Sequence, residues 1–230
     1  MPNMPNVTSP ASSRPAQPEA PRFTGVIIHR DPKGRFTIRY PSDWAVFEIA
    51  ERPARRRRSA RHRRDQPASE ARPGAATGPA AVPIPSREGI GFAPDPADPH
   101  TVFTIWVSPL QEPVVAEDLD ELKAGVDEGL SQLDGCQVEA GSETVLGNLI
   151  RFERVYTFRE GGAVRKRKQW LLYVDRWLMC LTWQGSTVER YRHYFAMANY
   201  SFLTFELPEA LWFATDRELL AQLGVNSSTV

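Results

Sequence analysis

The sequence has few of the residues that metal or redox chemistry needs. Its two cysteines, Cys136 and Cys180, stand far apart, and its four histidines have no paired ligand spacing. Because a metal site needs several ligands brought together, we expect neither a metal nor another cofactor. The cysteines are expected to be reduced thiols, with Cys180 a small core residue of a central strand.

Motifs for catalysis are missing as well. The chain has no nucleophile elbow, no phosphate-binding loop and no helical zinc-protease motif. Gly89-Ile-Gly91 is too short to predict more than a bend. The sequence therefore predicts a protein that is not an enzyme.

Long apolar runs are also absent. No run reaches the length of a transmembrane helix, and residues 1–6 lack the charged start and apolar core of a secretory signal. The expected location is the cytoplasm, with no transmembrane segment.

Two stretches are rich in proline and poor in apolar residues. Residues 1–22 and residues 52–88 each hold six prolines. Neither can bury enough apolar surface to offset the entropy of ordering, so both are predicted to be disordered. This leaves one domain over 23–205, interrupted by the 52–88 insertion, and a C-terminal helical appendage over 206–230.

The insertion concentrates positive charge. Residues 52–72 hold nine arginines against Asp65 and Glu70, so the rest of this formally neutral chain is acidic. One interpretation is tethering to an anion, either nucleic acid or an acidic membrane. A second interpretation is a low-complexity segment that is solvated and has no function. A third is a loop that lies on the rest of the chain, which is acidic. The candidate anion-binding residues are Arg55, Arg56, Arg57, Arg58, Arg61, Arg63 and Arg64.

A three-strand meander over 149–185 organises the chain. Its three strand-like runs are separated by Gly161-Gly162 and Asp175-Arg176, which are predicted to form two-residue turns. Counting from these turns places Phe152 opposite Leu171, and Leu171 opposite Cys180. Apolar residues fall on both faces, so the sheet is expected to be covered on both sides.

The remaining elements follow from periodicity. Strands are predicted at 23–29, 35–40, 44–50, 101–107 and 137–145, and order is expected to return near 89–92. A capping-box spacing from Ser186 to Glu189 predicts a closing helix. An earlier helix carries one apolar stripe at spacings of three and four residues: Leu119, Leu122, Val126, Leu130 and Leu133.

This order of elements resembles the PsbP-like family. The motif Phe-x-Ile-x-Tyr-Pro-x-x-Trp at 36–44 carries most of the resemblance, with Val145-Leu-Gly-Asn148 and Tyr200-Ser-Phe202 later in the chain. The group includes an extrinsic photosystem II protein, a Ran-binding nuclear transport factor, bacterial lipoproteins and chaperones of type VI secretion effectors. The resemblance implies an α+β fold, an α/β/α sandwich around a mostly antiparallel sheet, and binding without catalysis. The sequence departs from the family in its 52–88 insertion, its tail and its missing lipoprotein leader.

A protein partner is the leading functional hypothesis. Arg165 and Arg167 flank the predicted hairpin tip, where they either cover Phe158 and Tyr156 or form a ligand-facing rim. The predicted partner surface combines these arginines with apolar residues that need a cover: Trp183, Leu211, Trp212 and Phe213. The sequence thus predicts a non-enzymatic binding or adaptor domain, with anion tethering or a small-ligand pocket inside the sandwich as alternatives.

Overall fold

A computed structural model describes residues 21–50, 88–147 and 149–214. Nine strands and three helices are assigned in these ranges, with a short 3₁₀ turn at Ala116–Asp118. The strands are β1 (Val26–Arg30), β2 (Thr37–Pro41), β3 (Ala45–Ala50), β4 (Glu88–Ala93), β5 (Val102–Pro109), β6 (Gln137–Leu146), β7 (Leu149–Glu160), β8 (Ala163–Val174) and β9 (Trp177–Gly185). The helices are α1 (Leu119–Ser131), α2 (Val188–Leu203) and α3 (Glu209–Ala214).

The strands form one large sheet and one hairpin. The seven-stranded sheet has the order β3-β4-β5-β9-β8-β7-β6, and β1 pairs with β2 alone as a two-stranded sheet. Every pairing is antiparallel, and the predicted register of the meander is confirmed by the Phe152, Leu171 and Cys180 alignment. Gly161 and Gly162 have φ angles of 60° and 81° in the first turn, which explains the glycine pair there.

One face of the sheet carries the larger core. Helix α2 and the β1–β2 hairpin pack together over strands β4, β5, β9 and β8. Phe202 of α2 lies 4.9 Å from Phe103 and 5.0 Å from Trp170, measured between ring centres. These aromatic contacts add to the burial of apolar area, so α2 is anchored near the centre of the sheet.

Helix α1 covers the other face. Val126 and Leu130 are buried there against Ile150 and Phe152 of β7, and the remaining three leucines of the predicted stripe pack around them. The predicted amphipathic helix is therefore confirmed. With helices on both faces of an antiparallel sheet, the α+β sandwich expected from the sequence is confirmed too.

Among the described residues, the cover that α1 gives the second face does not extend across the whole sheet. The cluster under α1 takes its strand residues from β7 and β8 alone. Beyond them, Cys180 of β9 and Trp106 of β5 are only half-buried, and Phe47 of β3 is 42% exposed. Cys180 is thus not the core residue that the sequence predicted, because α1 is too far along the sheet to cover it.

The cap of α2 also differs from the prediction by one residue. Thr187 is the N-cap, and its side chain accepts a hydrogen bond from the Arg190 backbone N–H at 3.1 Å. Ser186 instead donates to Asp98 at 2.7 Å and accepts from the Thr101 hydroxyl at 3.2 Å. Its hydroxyl ties the start of α2 to the loop before β5, which no local motif could reveal.

Residues after α2 pack on the domain. Glu206 exchanges two backbone hydrogen bonds with Thr37 of β2, both 2.9 Å long. Leu207 is buried, and Leu211 of α3 packs against the larger core. The chain therefore contributes to the core beyond residue 205. The last residues of the predicted appendage, 215–230, lie outside the described part of the chain.

Candidate functional site

A cavity of about 420 Å³ opens beneath the turn that joins β1 and β2. We call it the turn cavity. Its walls come from the hairpin on one side and from β3, β4 and β5 on the other, and its floor is apolar: Phe36, Ile90, Ile105 and Val107. Charged and polar side chains stand around this floor: His29, Asp31, Lys33, Arg35, Glu48 and Glu88.

A buried ion pair shapes the turn itself. The Asp31 carboxylate accepts from Arg35 Nε and Nη2, both at 2.8 Å, and from the Arg35 backbone N–H at 3.1 Å. Gly34 takes a φ of 68° between them, which lets the chain reverse within four residues. The Arg35 guanidinium also lies over the Trp177 ring at 5.3 Å. The pair therefore fixes one wall of the turn cavity.

Glu88 links this turn to the large sheet. Its carboxylate pairs with Lys33 Nζ at 2.6 Å and with Arg35 Nη2 at 3.3 Å. Glu88 lies in β4, so these contacts run across the mouth of the turn cavity. The Lys33 side chain is 58% exposed, so its bond adds little stability and can open readily.

Asp31, Glu88 and His29 of the turn cavity have lowered pKa values. Burial works to raise the pKa of Asp31, but the Arg35 hydrogen bonds outweigh it and lower that pKa below 3.8. The hydrogen bond from Lys33 lowers the pKa of Glu88, and burial lowers the pKa of His29. Both carboxylates thus stay ionised and the imidazole stays neutral. General acid catalysis by a carboxyl group would need the opposite shift.

Glu48 differs from the other carboxylates of the turn cavity. It is exposed on β3, and it has no ion-pair partner among the described residues. Asp31 and Glu88 are balanced by Arg35 and Lys33, so Glu48 leaves the lining with one excess negative charge. A bound group with an apolar body and a positive end would complement this arrangement.

Comparisons with known proteins bear on the fold. No family profile matches the sequence, and no curated protein matches it significantly. Among solved structures, cyanobacterial PsbP (CyanoP) from Synechocystis sp. PCC 6803 is 10% identical with a TM-score of 0.48, over 84% of this chain and 99% of that one. LpqN, involved in cell envelope biogenesis of Mycobacterium tuberculosis, is 16% identical with a TM-score of 0.46, over 80% and 91%.

A third structure is the T6SS immunity protein TplEi of Pseudomonas aeruginosa, complexed with "L" peptide. It is 12% identical with a TM-score of 0.45, over 81% of this chain and 99% of that one. These structures agree with the PsbP-like fold that the sequence resembles. At such low identity the likeness concerns the fold alone.

Two residues of the predicted partner surface are in the interior, so their assignment was wrong. Trp183 is fully buried, with its ring stacked 5.6 Å from Trp44. Arg165 is 6% exposed and pairs with Glu160 through Nη1 at 3.0 Å. Both lie on long strands whose alternation was visible, but the depth of the cover over each strand end was not.

Arg167 is half-buried within a polar network. It donates to Gln184 Oε1 from Nε at 3.0 Å and to the Tyr156 hydroxyl from Nη1 at 3.2 Å. Its guanidinium also lies over the Phe158 ring at 4.5 Å and the Tyr156 ring at 5.8 Å. The predicted aromatic pairing is thus confirmed for Tyr156, while Phe158 is covered by Arg167 in place of Arg165.

The other predicted site residues fall outside this cluster. Leu211 is half-buried against the core, while the side chains of Trp212 and Phe213 lie outside the described part of the chain. The arginines predicted to bind anions lie outside it too, at positions Arg55, Arg56, Arg57, Arg58, Arg61, Arg63 and Arg64. In the described ranges, no three His, Cys, Asp or Glu side chains approach closely enough to hold a metal ion. No helix in those ranges is long and apolar enough to cross a membrane.

The sequence did not predict the turn cavity. Asp31-Pro-Lys-Gly34 was recognisable as a turn, and an acid and a base four residues apart around it were a weak signal for the pair with Arg35. Nothing local connects Glu88 to this turn, since 53 residues separate Arg35 from Glu88. Only the packing of the hairpin on the sheet brings these groups together.

Proposed function

We propose that the protein is a non-enzymatic binding domain that engages a protein partner, and that the turn cavity receives an apolar side chain of that partner. The observation that supports this is an apolar floor inside a ring of charges that are mostly paired with one another. Such a site offers burial to a side chain and fixes its orientation by charge.

The charge states around the turn cavity support binding over catalysis. Asp31 and Glu88 are held ionised by their basic partners, and neither has a pKa moved toward neutrality. A general acid or base works best with a pKa near the working pH. These side chains are better suited to hold the turn and to select a ligand by charge.

A small molecule is a second candidate occupant. The volume of about 420 Å³ lies within the range of small-molecule sites, and polar groups surround a mainly apolar floor. Both candidates would occupy the turn cavity, and they differ only in whether the bound group belongs to a protein or to a free molecule. A test must therefore separate an apolar side chain on a peptide from a free apolar molecule.

Peptide selection on the full chain tests the main proposal. A phage-displayed random peptide library is selected on the wild type and on Ile90→Trp, which fills the turn cavity from its floor. We expect peptides that bind the wild type and lose at least about tenfold in affinity on Ile90→Trp. Val164→Trp is the matched control, since Val164 is exposed at the hairpin tip and distant in the fold.

The outcome also decides between the two occupants. Peptides that bind all three proteins equally would contradict a role for the turn cavity in protein recognition. An NMR screen of apolar fragments, each with an amine, runs beside the selection. Suppose that fragments bind the wild type but not Ile90→Trp, and that no selected peptide shows this difference. This result would favour a small molecule as the occupant of the turn cavity.

We further propose a cytoplasmic location, as the sequence predicts. Cys136 and Cys180 are thiols and not a disulfide, which suits a reducing compartment. Anion tethering through Arg55–Arg64 stays a prediction from the sequence, because those residues lie outside the described part of the chain.

A further inference from the structure

The two edges of the large sheet are built differently. Strand β6 forms one edge, and its pairing with β7 is interrupted by a bulge at Glu139. Its two glutamates form ion pairs, Glu139 with Lys166 and Glu143 with Arg154. Bulges and charges are the usual devices that keep another strand from adding to an edge. The β6 edge therefore has the features of a protected edge.

Strand β3 forms the other edge, and it has no bulge in its described residues. It pairs with β4 in an unbroken register from Ala45 to Ala50 and with no other described strand. Val46 and Phe47, on its two faces, are 45% and 42% exposed. A regular edge with exposed apolar side chains presents free backbone N–H and C=O groups to an extended chain.

An apolar surface adjoins this edge on the face that α1 covers only in part. The Phe47 ring lies against Gly91, and the Trp106 ring lies against Gly89. A Cβ on Gly91 would come within 2.3 Å of the Phe47 ring, so the glycines are what allow the rings to lie on the strand. We call this surface, made by Phe47, Gly89, Gly91 and Trp106, the Phe47 shelf.

The opposite face of the same edge carries the exposed Val46 and an acidic residue. Glu48 points to the side of Ile90, its register partner on β4, and it lines the turn cavity. Asp43, in the turn before β3, is also exposed, and neither carboxylate has an ion-pair partner among the described residues. An occupant of this edge would thus meet the Phe47 shelf on one face, and on the other the exposed Val46 beside Glu48, which has no ion-pair partner among the described residues.

We propose that the outer edge of β3, which pairs with no described strand, binds an extended segment of a protein partner as an added strand, with alternating apolar and basic residues. The apolar residues would lie on the Phe47 shelf, and a basic residue would pair with Glu48 at the mouth of the turn cavity. Side chains alternate between the two faces of a strand, so one segment can satisfy both surfaces. This inference rests on the proposed function and names the edge and the chemistry of the partner segment.

A synthetic peptide tests the inference on the full chain. The probe is Ac-Val-Arg-Val-Leu-Val-Arg-Val-NH₂, which places valines on one face and arginine and leucine on the other. An added strand directs alternate N–H groups of the peptide toward β3. We therefore expect N-methylation of one alternate set of residues to abolish binding, measured by calorimetry, and N-methylation of the other set to leave it within about twofold. Equal effects of the two sets would overturn strand addition.

A charge exchange tests the role of Glu48. We expect Glu48→Lys to lower the affinity for the arginine peptide by about tenfold. The same variant should raise the affinity for a peptide with glutamate in place of arginine. Glu117→Lys is the matched control, because Glu117 is an exposed glutamate that precedes α1, away from β3. Equal effects of both substitutions would show general attraction and overturn the assignment of Glu48.

Other occupants give different results. Self-association of the wild type that Glu48→Lys changes would assign the edge to a second copy. Peptide binding that begins only after deletion of residues 52–64 would assign it to the chain's own arginines. Either result overturns the inference. If Ile90→Trp abolishes binding of selected peptides while the N-methylated sets behave alike, the proposed function stands and only the added strand fails.

Discussion

The ion pair of Asp31 and Arg35 contributes more to stability than its place in a turn suggests. Their side chains are only 5% and 9% exposed. Two charges taken out of water need each other, and the cost of their burial is offset only while both are present. The turn, one wall of the cavity and the contact of Arg35 with Trp177 all depend on this pair.

Removing either partner should therefore destabilise the fold. We expect Asp31→Ala or Arg35→Ala to lower the free energy of unfolding by about 3 kcal/mol, measured by urea denaturation. Lys33→Ala is the control and should cost below about 1 kcal/mol, because its ion pair is exposed. A double substitution of Asp31 and Arg35 by alanine should cost less than the two single losses added together. Single losses as small as that of Lys33→Ala would show that the pair is not buried in solution.

His29 gives the hairpin a pH dependence. Its ring lies 5.9 Å from the rings of Phe36 and Phe92, and burial lowers its pKa from 6.5 despite the opposing effect of Asp31. The unfolded chain then binds the proton more readily, so stability is full above pH 6.5 and falls as the pH drops below it. We expect His29→Gln to remove this first decline, measured by unfolding at pH 7.5 and 5.5. A second decline, below about pH 4, should remain, because Asp31 and Glu88 have lowered pKa values.

At the scale of elements, β9 and α2 meet in a close backbone contact at Gly185. A Cβ on Gly185 would come within 2.3 Å of the Tyr191 backbone nitrogen and 2.6 Å of the Thr187 carbonyl oxygen. Backbone atoms cannot yield as a flexible side chain can. The absence of a side chain at Gly185 is what lets the first turn of α2 lie against the end of the sheet.

We expect Gly185→Ala to lower the free energy of unfolding by about 3 kcal/mol, because α2 must shift away from β9. Gly125→Ala in α1 is the matched control. An added Cβ there meets nothing within 4 Å, and alanine favours the helix by about 0.5–1 kcal/mol. Thermal unfolding of both variants checks the contrast. A stable Gly185→Ala would mean that α2 begins farther from the sheet.

On the scale of the whole molecule, the segment after α2 belongs to the core. Leu207 is buried and Glu206 pairs with β2, so this segment closes the domain beside the hairpin. We expect Leu207→Ala to cost about 2–3 kcal/mol in chemical denaturation. Leu203→Ala should change stability by no more than about 0.5 kcal/mol, because Leu203 is 72% exposed. Equal effects would place the segment after α2 outside the folded core.

Much of this molecule follows from local patterns in the sequence. The meander register and the stripe of α1 were predictable, because strand alternation, two-residue turns and helical spacing act over neighbouring residues. The α+β sandwich was implied by the resemblance to the PsbP-like family. The cap of α2 was predicted one residue early, since the bond from Ser186 to Asp98 spans 88 positions. Trp183 was misplaced for a similar reason: its strand was evident, but the aromatic partner Trp44 was not.

The sequence by itself determined which segments become strands and helices and which side chains share a face, because those choices depend on periods of two and 3.6 residues. The tertiary structure alone decided where a cavity opens and, among the described residues, which carboxylate has no ion-pair partner and which sheet edge has no further strand. Glu48 and Glu88 reach the turn of Asp31 and Arg35 only when the hairpin docks on the sheet. Such meetings depend on packing between distant segments, and no local pattern encodes them.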